Sequence, residues 1–279
     1  MKVVRSKHAG ACYGVQRALD LALKSVADGG RAYTLGPLIH NPQVVEKLSD
    51  QGVTEVSAIE DAERGSAVVI RSHGVTPQVM RAVAAAGNAV VDATCPHVAR
   101  AQKAAADMAR RLGSVVVVGE AGHPEVEGIV ACARESTERV YAVTSPSEVP
   151  EDIEAPVGVV VQTTQQKDKL DEIVSHLRAL GIEPEVKNTI CFATSQRQDA
   201  AADLSEQVDA IVVIGGRNSS NTTRLFDICA AQCERTFHIE SAAELDESWF
   251  SGVGAVGVTA GASTPEDQIA EVVARLERM

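Results

Sequence analysis

AVVDATC, residues 89–95, is a strand-like run that ends on a cysteine, and the chain contains two counterparts: VVRSKHAGAC at 3–12 and EVKNTIC at 185–191. Counting forward from Cys12, Cys95 and Cys191, a glycine stands 24 residues on in every case. These are Gly36, Gly119 and Gly215, which close the runs YTLG, VVVG and VVIG. A polar loop residue follows at 28: His40, His123 and Ser219. A second set has looser spacing, 61, 68 and 72 residues after the same cysteines: His73 in RSHG, Thr163 in VQTT and Ser263 in TAGAS. Equal offsets in three copies are the signature of an internal repeat. Chance similarity between unrelated βα units is the competing reading, and the equal offsets disfavour it.

Around these anchors, apolar runs alternate with helical periodicity. Strand-like runs fall at 67–70, 89–91, 115–118, 157–161, 210–214 and 253–258. Helix-like periodicity covers 15–27, 77–86, 98–111, 167–180, 196–207, 222–233 and 265–278. Such alternation predicts an α/β protein with parallel sheets. The expected architecture is three α/β lobes related by a pseudo-threefold axis around a central cavity. Their boundaries are expected at 13–94, 95–190 and 191–279, and residues 1–12 form an N-terminal strand. In open α/β sheets ligands bind outside the carboxyl ends of the strands, where all six polar loops fall. The segment 145–156 reads as a long surface loop.

Composition narrows the function. The 279 residues carry a formal net charge of −12, and aromatics make up only 3%. Nucleic-acid binding needs clustered Lys and Arg or stacking aromatics, so it is not expected. No apolar run approaches the ~20 residues that span a bilayer, and the N-terminal residues lack the apolar stretch of a secretion signal. A cytoplasmic protein is expected, in which six cysteines are thiols rather than disulfides. A P-loop, a GxGxxG opening a helix and a GxSxG elbow are all absent. Bound nicotinamide or flavin is therefore not indicated, and any electrons would come from an external carrier.

Three thiols this far apart do not form a zinc knuckle, which uses CxxC pairs. They fit a [4Fe–4S] cluster with one iron free of protein sulfur, and such an iron is a Lewis acid. Cys132, Cys229 and Cys233 lie in helical runs and read as buried small apolar residues. The loops supply His40, Asn41, His73, His123, Glu125, Thr163, Thr164, Asn218, Ser219, Ser220, Asn221 and Ser263, mostly neutral hydrogen-bond donors. NSSN, before a helix expected from about Thr222, reads either as helix capping or as a phosphate cradle. Glu125, in His123-Pro124-Glu125, is a candidate proton donor.

With these residues in view, the chain resembles the 4-hydroxy-3-methylbut-2-enyl diphosphate reductase family over nearly its whole length. The resemblance rests on GACYGVQRAL around Cys12, GPLIHNPQVV around His40, RSHGV around His73 and DATCPHV around Cys95. It continues through GHPEVEG at His123, QTT at Thr163, NTICFATSQRQ around Cys191, NSSNTTRL at Ser219 and GVTAGASTPE at Ser263. It implies a [4Fe–4S] cluster on Cys12, Cys95 and Cys191 whose unique iron meets the substrate hydroxyl. Two electrons and two protons then remove that oxygen as water, giving isopentenyl and dimethylallyl diphosphate in the last step of the non-mevalonate isoprenoid pathway. It further implies that His40, His73, His123, Ser219, Ser220, Asn221 and Ser263 hold the diphosphate, and that the last lobe ends in a C-terminal segment returning toward the centre. Glu125 then delivers protons, with His123 beside it, Thr163 lies near the substrate hydroxyl, and a ferredoxin- or flavodoxin-type protein donates electrons. One departure is Ala11, where the family usually has a bulky aromatic. Two other classes remain from the residues alone. An iron–sulfur dehydratase acting on carboxylic acids would call for arginine forks, and a non-enzymatic metal sensor would leave the ring of polar loops without a role.

Overall fold

A computed structural model describes residues 1–27 and 29–279. The elements run in chain order β1 (Lys2–Arg5), α1 (Tyr13–Lys24), β2 (Ala32–Leu35), α2 (Pro42–Asp50), β3 (Val53–Val56), β4 (Ala67–Ile70), α3 (Pro77–Ala85), β5 (Ala89–Asp92) and α4 (Pro96–Leu112). They continue through β6 (Val115–Val118), α5 (Pro124–Arg134), β7 (Val140–Val143), β8 (Gly158–Val161), α6 (Lys167–Ala179), β9 (Glu185–Lys187) and α7 (Phe192–Ser205). The last are β10 (Ala210–Ile214), α8 (Ser220–Ala230), β11 (Thr236–Ile239), β12 (Ala255–Ala260) and α9 (Glu266–Leu276). No helix among the described residues is long and apolar enough to cross a membrane.

The strands form three four-stranded sheets, ordered β3-β2-β4-β5, β7-β6-β8-β9 and β11-β10-β12-β1. Every pairing within them is parallel. The three share one topology: the first strand of each sheet lies between the second and the third, and the fourth flanks the third. Each sheet thus reverses direction between its first and third strands, the switch point at which α/β sheets open a crevice. The fourth strand of the third sheet is β1, whose Lys2–Arg5 align with Ala255–Val258 of β12.

The chain divides into two compact units. One comprises 1–16, 40–44 and 192–279 and carries the third sheet; the other comprises 17–39 and 45–191 and carries the first two. In the first unit the core is built on one face by Val212, Ile214, Val256, Val258, Ile269 and Leu276 and on the other by Ile211, Val213, Leu225 and Cys229. In the second, β6 and β8 are wholly buried, with α6 on one face and α4 and α5 on the other. Burial on both faces explains why these strands read as unbroken valine runs. The edge strands β5 and β9 are exposed and carry Asp92, Glu185 and Lys187, charges of the kind that blunt strand edges.

Several boundaries differ from those expected. The segment 145–156 is not simply a surface loop: it makes a short 3-10 turn at Pro146–Glu148, and Val149 and Ile153 are buried in the core beside β8. Two apolar residues in an otherwise polar stretch show no periodicity, yet they anchor it. Helix α8 starts at Ser220 rather than Thr222 because Ser219 caps it, and α7 starts four residues early, directly after Cys191.

Candidate functional site

Each of the three repeat cysteines follows the fourth strand of a sheet and directly precedes a helix: β1–Cys12–α1, β5–Cys95–α4 and β9–Cys191–α7. Their backbones are fixed in the same way. Cys95 N–H donates to Ser72 O at 2.9 Å, Cys191 N–H to Thr163 O at 2.9 Å, and Cys12 N–H to Ala262 O at 3.0 Å. The acceptor loops follow β4, β8 and β12, the third strand of each sheet. Counting forward along the chain links each cysteine with loops of the next sheet; the hydrogen bonds link it with the sheet whose fourth strand it follows. All three are half-buried. A helix N-terminus favours negative charge, so the three positions suit anionic sulfur ligands. Cys12 lies in one compact unit and Cys95 and Cys191 in the other. Among the described residues, no group of three or more His, Cys, Asp or Glu side chains stands at metal-holding geometry.

Cys132, Cys229 and Cys233 behave as expected of structural thiols. Cys229 and Cys233 are buried among Leu204, Ile211 and Leu225. Burial pushes the Cys229 thiol up to about 11; burial, then the Glu135 carboxylate, do the same for Cys132. At pH 8 roughly a thousandth of each would be thiolate, the reactive form. Brief iodoacetamide treatment of the native protein at pH 8 should therefore leave both unmodified, and unfolding in guanidinium should expose them. Peptide mass spectrometry reads the outcome; native-state labelling of Cys229 at the rate of a free thiol would contradict it.

In the unit that carries the first two sheets, neighbouring β6 and β8 bring two loops together. Pro124 at the first position of α5 pre-sets the helical φ, and His123 is its cap, its Nδ1 accepting Glu125 N–H at 3.1 Å. A neutral His123 then carries its proton on Nε2. Glu125 is only 2% exposed. Its Oε1 accepts Thr163 N–H at 2.6 Å and its Oε2 accepts the Thr163 hydroxyl at 2.9 Å. The His73 and His123 rings meet edge-on with centroids 5.7 Å apart. Gln162, fully buried, accepts Glu120 N–H on Oε1 at 3.1 Å, while its Nε2 has no hydrogen-bond partner among the described residues. Gly119 is required beside it: a Cβ would come within 2.7 Å of Val126 Cγ2 and 2.9 Å of Gln162.

In the unit that carries the third sheet, β10 and β12 place a second cradle at their carboxyl ends. Ser219 caps α8, its hydroxyl accepting Thr222 N–H at 3.4 Å. The Ser263 hydroxyl donates to His40 O at 3.0 Å. Asn41 Nδ2 donates to Ser263 O and to Gln268 Oε1, each at 2.9 Å, and its Oδ1 accepts Val44 N–H at 3.2 Å. The backbone packs so closely that a Cβ on Gly216 would lie 2.6 Å from His40 O. Asn221 sits in the first turn of α8, 5% exposed, and among the described residues neither its Nδ2 nor its Oδ1 has a hydrogen-bond partner. Leaving such a group buried and unsatisfied costs about 1–3 kcal/mol. A helix N-terminus ringed by hydroxyls and an unsatisfied amide is suited to an anion with several acceptor oxygens.

Three participants escaped sequence reading. Gln162 was visible only as part of QTT, and Arg197 and Arg224 only as members of the motifs NTICFATSQRQ and NSSNTTRL, inside helices and with no role attached to them. Both arginines are buried, and both spend guanidinium N–H groups on backbone carbonyls: Arg224 on Ser220 O at 3.3 Å, Arg197 on Gly10 O at 2.7 Å and Ala193 O at 2.9 Å. Arg217 pairs with Glu244 at 2.7 Å. Burial holds the Arg71 guanidinium below its ordinary range despite Glu127 and Glu55 nearby.

Residues 3–277 match the family model described as LytB protein. The 4-hydroxy-3-methylbut-2-enyl diphosphate reductase of Geobacter sp. (strain M21) is 48% identical over 277 residues, covering 99% of this chain and 97% of that protein. The enzyme of the same name from Citrifermentans bemidjiense is also 48% identical, with the same coverage. A solved (E)-4-hydroxy-3-methyl-but-2-enyl diphosphate reductase, described as the terminal enzyme of the non-mevalonate pathway, is 41% identical over 100% of both chains with a TM-score of 0.73. The Plasmodium falciparum E-1-hydroxy-2-methyl-but-2-enyl-4-diphosphate reductase, 24% identical, shares the fold with a TM-score of 0.91, covering 98% of this chain and 87% of that one.

Proposed function

The chain belongs to the LytB family, and we propose that it performs the reaction its relatives are named for, with the residues described above. The substrate is (E)-4-hydroxy-3-methylbut-2-enyl diphosphate. Two electrons and two protons remove its hydroxyl as water, and the products are isopentenyl and dimethylallyl diphosphate. The observation that carries this reading is the cradle at α8, where the buried Asn221 amide has no hydrogen-bond partner among the described residues, beside the Ser219 cap.

In this reading Cys12, Cys95 and Cys191 hold a [4Fe–4S] cluster, which when bound supplies electrons singly and a Lewis-acid iron free of protein sulfur. The donor set fits that group: three half-buried thiols, each ahead of a helix and each fixed by its backbone N–H. Ser219, Ser220, Asn221, Ser263 and His40 take the diphosphate, with His73 and His123 as further imidazole donors. Hydroxyls, amides and a helix N-terminus bind phosphate without demanding a surplus of positive charge. Glu125 holds the proton for the leaving oxygen and passes it through the Thr163 hydroxyl by reversing their hydrogen bond. Burial of Glu125 and Thr163 keeps bulk water from short-circuiting that transfer. Electrons come from an external one-electron protein of the ferredoxin or flavodoxin kind.

The test is anaerobic. Protein reconstituted with iron and sulfide should oxidise reduced methyl viologen only when the substrate is added, with both diphosphate products formed. An intact cluster without substrate-dependent oxidation would sink the proposal. A finer test addresses the cradle. Asn221→Ala removes an amide that makes no hydrogen bond among the described residues, so stability should fall by less than about 1 kcal/mol. KM for the substrate should rise about tenfold, the loss of one or two hydrogen bonds to a charged group. An unchanged KM would take Asn221 out of the diphosphate site.

A further inference from the structure

We propose that Tyr13 and Phe192, with Lys7 and His8, form the docking contact for the protein that delivers the electrons, an acidic one-electron carrier. The proposal rests on the function proposed above and names the partner that function requires.

Only eight residues of the chain are aromatic. Six of them are buried or half-buried; Tyr13 and Phe192 are each 71% exposed, the most of any large apolar side chains among the described residues. Both follow a repeat cysteine directly, Tyr13 after Cys12 and Phe192 after Cys191. Both belong to the same compact unit, and one buried side chain ties their segments together: Arg197 donates to Gly10 O, two residues before Cys12, and to Ala193 O, next to Phe192. A partner seated on the two rings is therefore one residue from two of the three thiols. Exposed aromatics held in a fixed place are typical anchors of protein interfaces.

Charge selects the partner. Acidic residues outnumber basic ones by 38 to 26 in the whole chain, yet residues 6–19 and 186–198 contain no Asp or Glu. Lys7 and His8 are exposed just ahead of Cys12. On an acidic protein these two stretches are a local gap in the negative charge that carries the exposed Lys7, with the neighbouring Glu266 already paired to Arg5, and such a gap steers an acidic partner to itself and away from the rest of the surface. Electron balance sets the number of encounters. Two reduced carriers are each oxidised by one electron, the substrate C–O bond breaks, one proton forms the new C–H bond, and the other leaves with the oxygen as water.

The test uses the reconstituted holoenzyme, a Tyr13→Ala/Phe192→Ala double variant and Lys7→Glu. Each is assayed with reduced methyl viologen and with a reduced acidic [2Fe–2S] ferredoxin. Binding of the oxidised ferredoxin is measured separately by calorimetry without substrate. For the double variant we expect ferredoxin kcat/KM to fall tenfold or more, ferredoxin binding to weaken in step, and the viologen rate to stay within twofold of wild type. Lys7→Glu should weaken ferredoxin binding and flatten its salt dependence. Unchanged ferredoxin kinetics and binding would overturn the proposal. So would equal losses with both reductants, which would assign the rings to holding the cluster, and so would wild-type protein that binds no ferredoxin. Wild-type protein that binds ferredoxin but shows no viologen turnover would defeat the proposed function instead, and the calorimetry would still decide whether the rings carry the contact.

Discussion

Glu125→Gln should lower kcat by about two to four powers of ten, the range for losing a positioned general acid, while iron content, sulfide content and substrate affinity stay near wild type. The geometry makes this substitution clean. Glu125 receives a backbone N–H and a hydroxyl from the same residue, Thr163. A glutamine can keep both contacts: its Oε1 accepts the N–H, and its amide donates to the Thr163 oxygen, because a hydroxyl can accept as readily as it donates. The fold and the orientation of Thr163 are then preserved, and only the exchangeable carboxyl proton is lost. Turnover, metal analysis and substrate binding on one preparation separate the roles. Near-normal product formation would remove Glu125 from the proton path, and loss of iron would make it a structural support.

Cys95→Ser should abolish stable cluster binding and reduce turnover below detection, while the protein still folds. Cys95 caps α4, a position that serine fills well, and the backbone bond to Ser72 O does not involve the side chain. The change is thus confined to the ligand atom, and a serine oxygen is a poor substitute for thiolate on iron. Cys132→Ser is the matched control. Cys132 is likewise partly buried, its thiol held near 11 by desolvation, so its replacement should leave iron and sulfide unchanged. Equal metal content in the two variants would undo the assignment of Cys95.

What could be read from the sequence was set by burial. Val115–Val118 and Ala210–Ile214 are buried on both faces and announce themselves as apolar runs. Strand β9 is exposed throughout and β3 is only partly buried, so neither leaves a hydrophobic signal; β9 is recognisable only as the approach to Cys191. The start of α7 is masked because Thr194 and Ser195 are weak helix formers. Offsets along the chain revealed the cysteines, the glycines and the polar loops, but not which of them touch. Glu125 and Thr163 are 38 residues apart and meet because β6 and β8 are neighbours in their sheet. Asn41 reaches Ser263 across 222 residues. Sheet order is a property of the folded chain, and single-residue spacing cannot supply it. The same limit explains why Cys12 was grouped with the loops of the first sheet, whereas its amide is bonded in the third.

That bond of Cys12, and the pairing of β1 with β12, have a consequence for biosynthesis. The ribosome makes residues 2–5 about 250 residues before their partners at 255–258. The first two sheets can close while translation continues, since each draws its four strands from one continuous stretch. The third must wait for β12, a late, high-contact-order closure. Until then Cys12 lacks its anchor at Ala262, and β1 lacks β12, the inner strand that joins it to β10. Metal loading before that point would therefore meet at most two of the three thiols in their final backbone setting, so cluster insertion is expected to follow synthesis of residues 255–262.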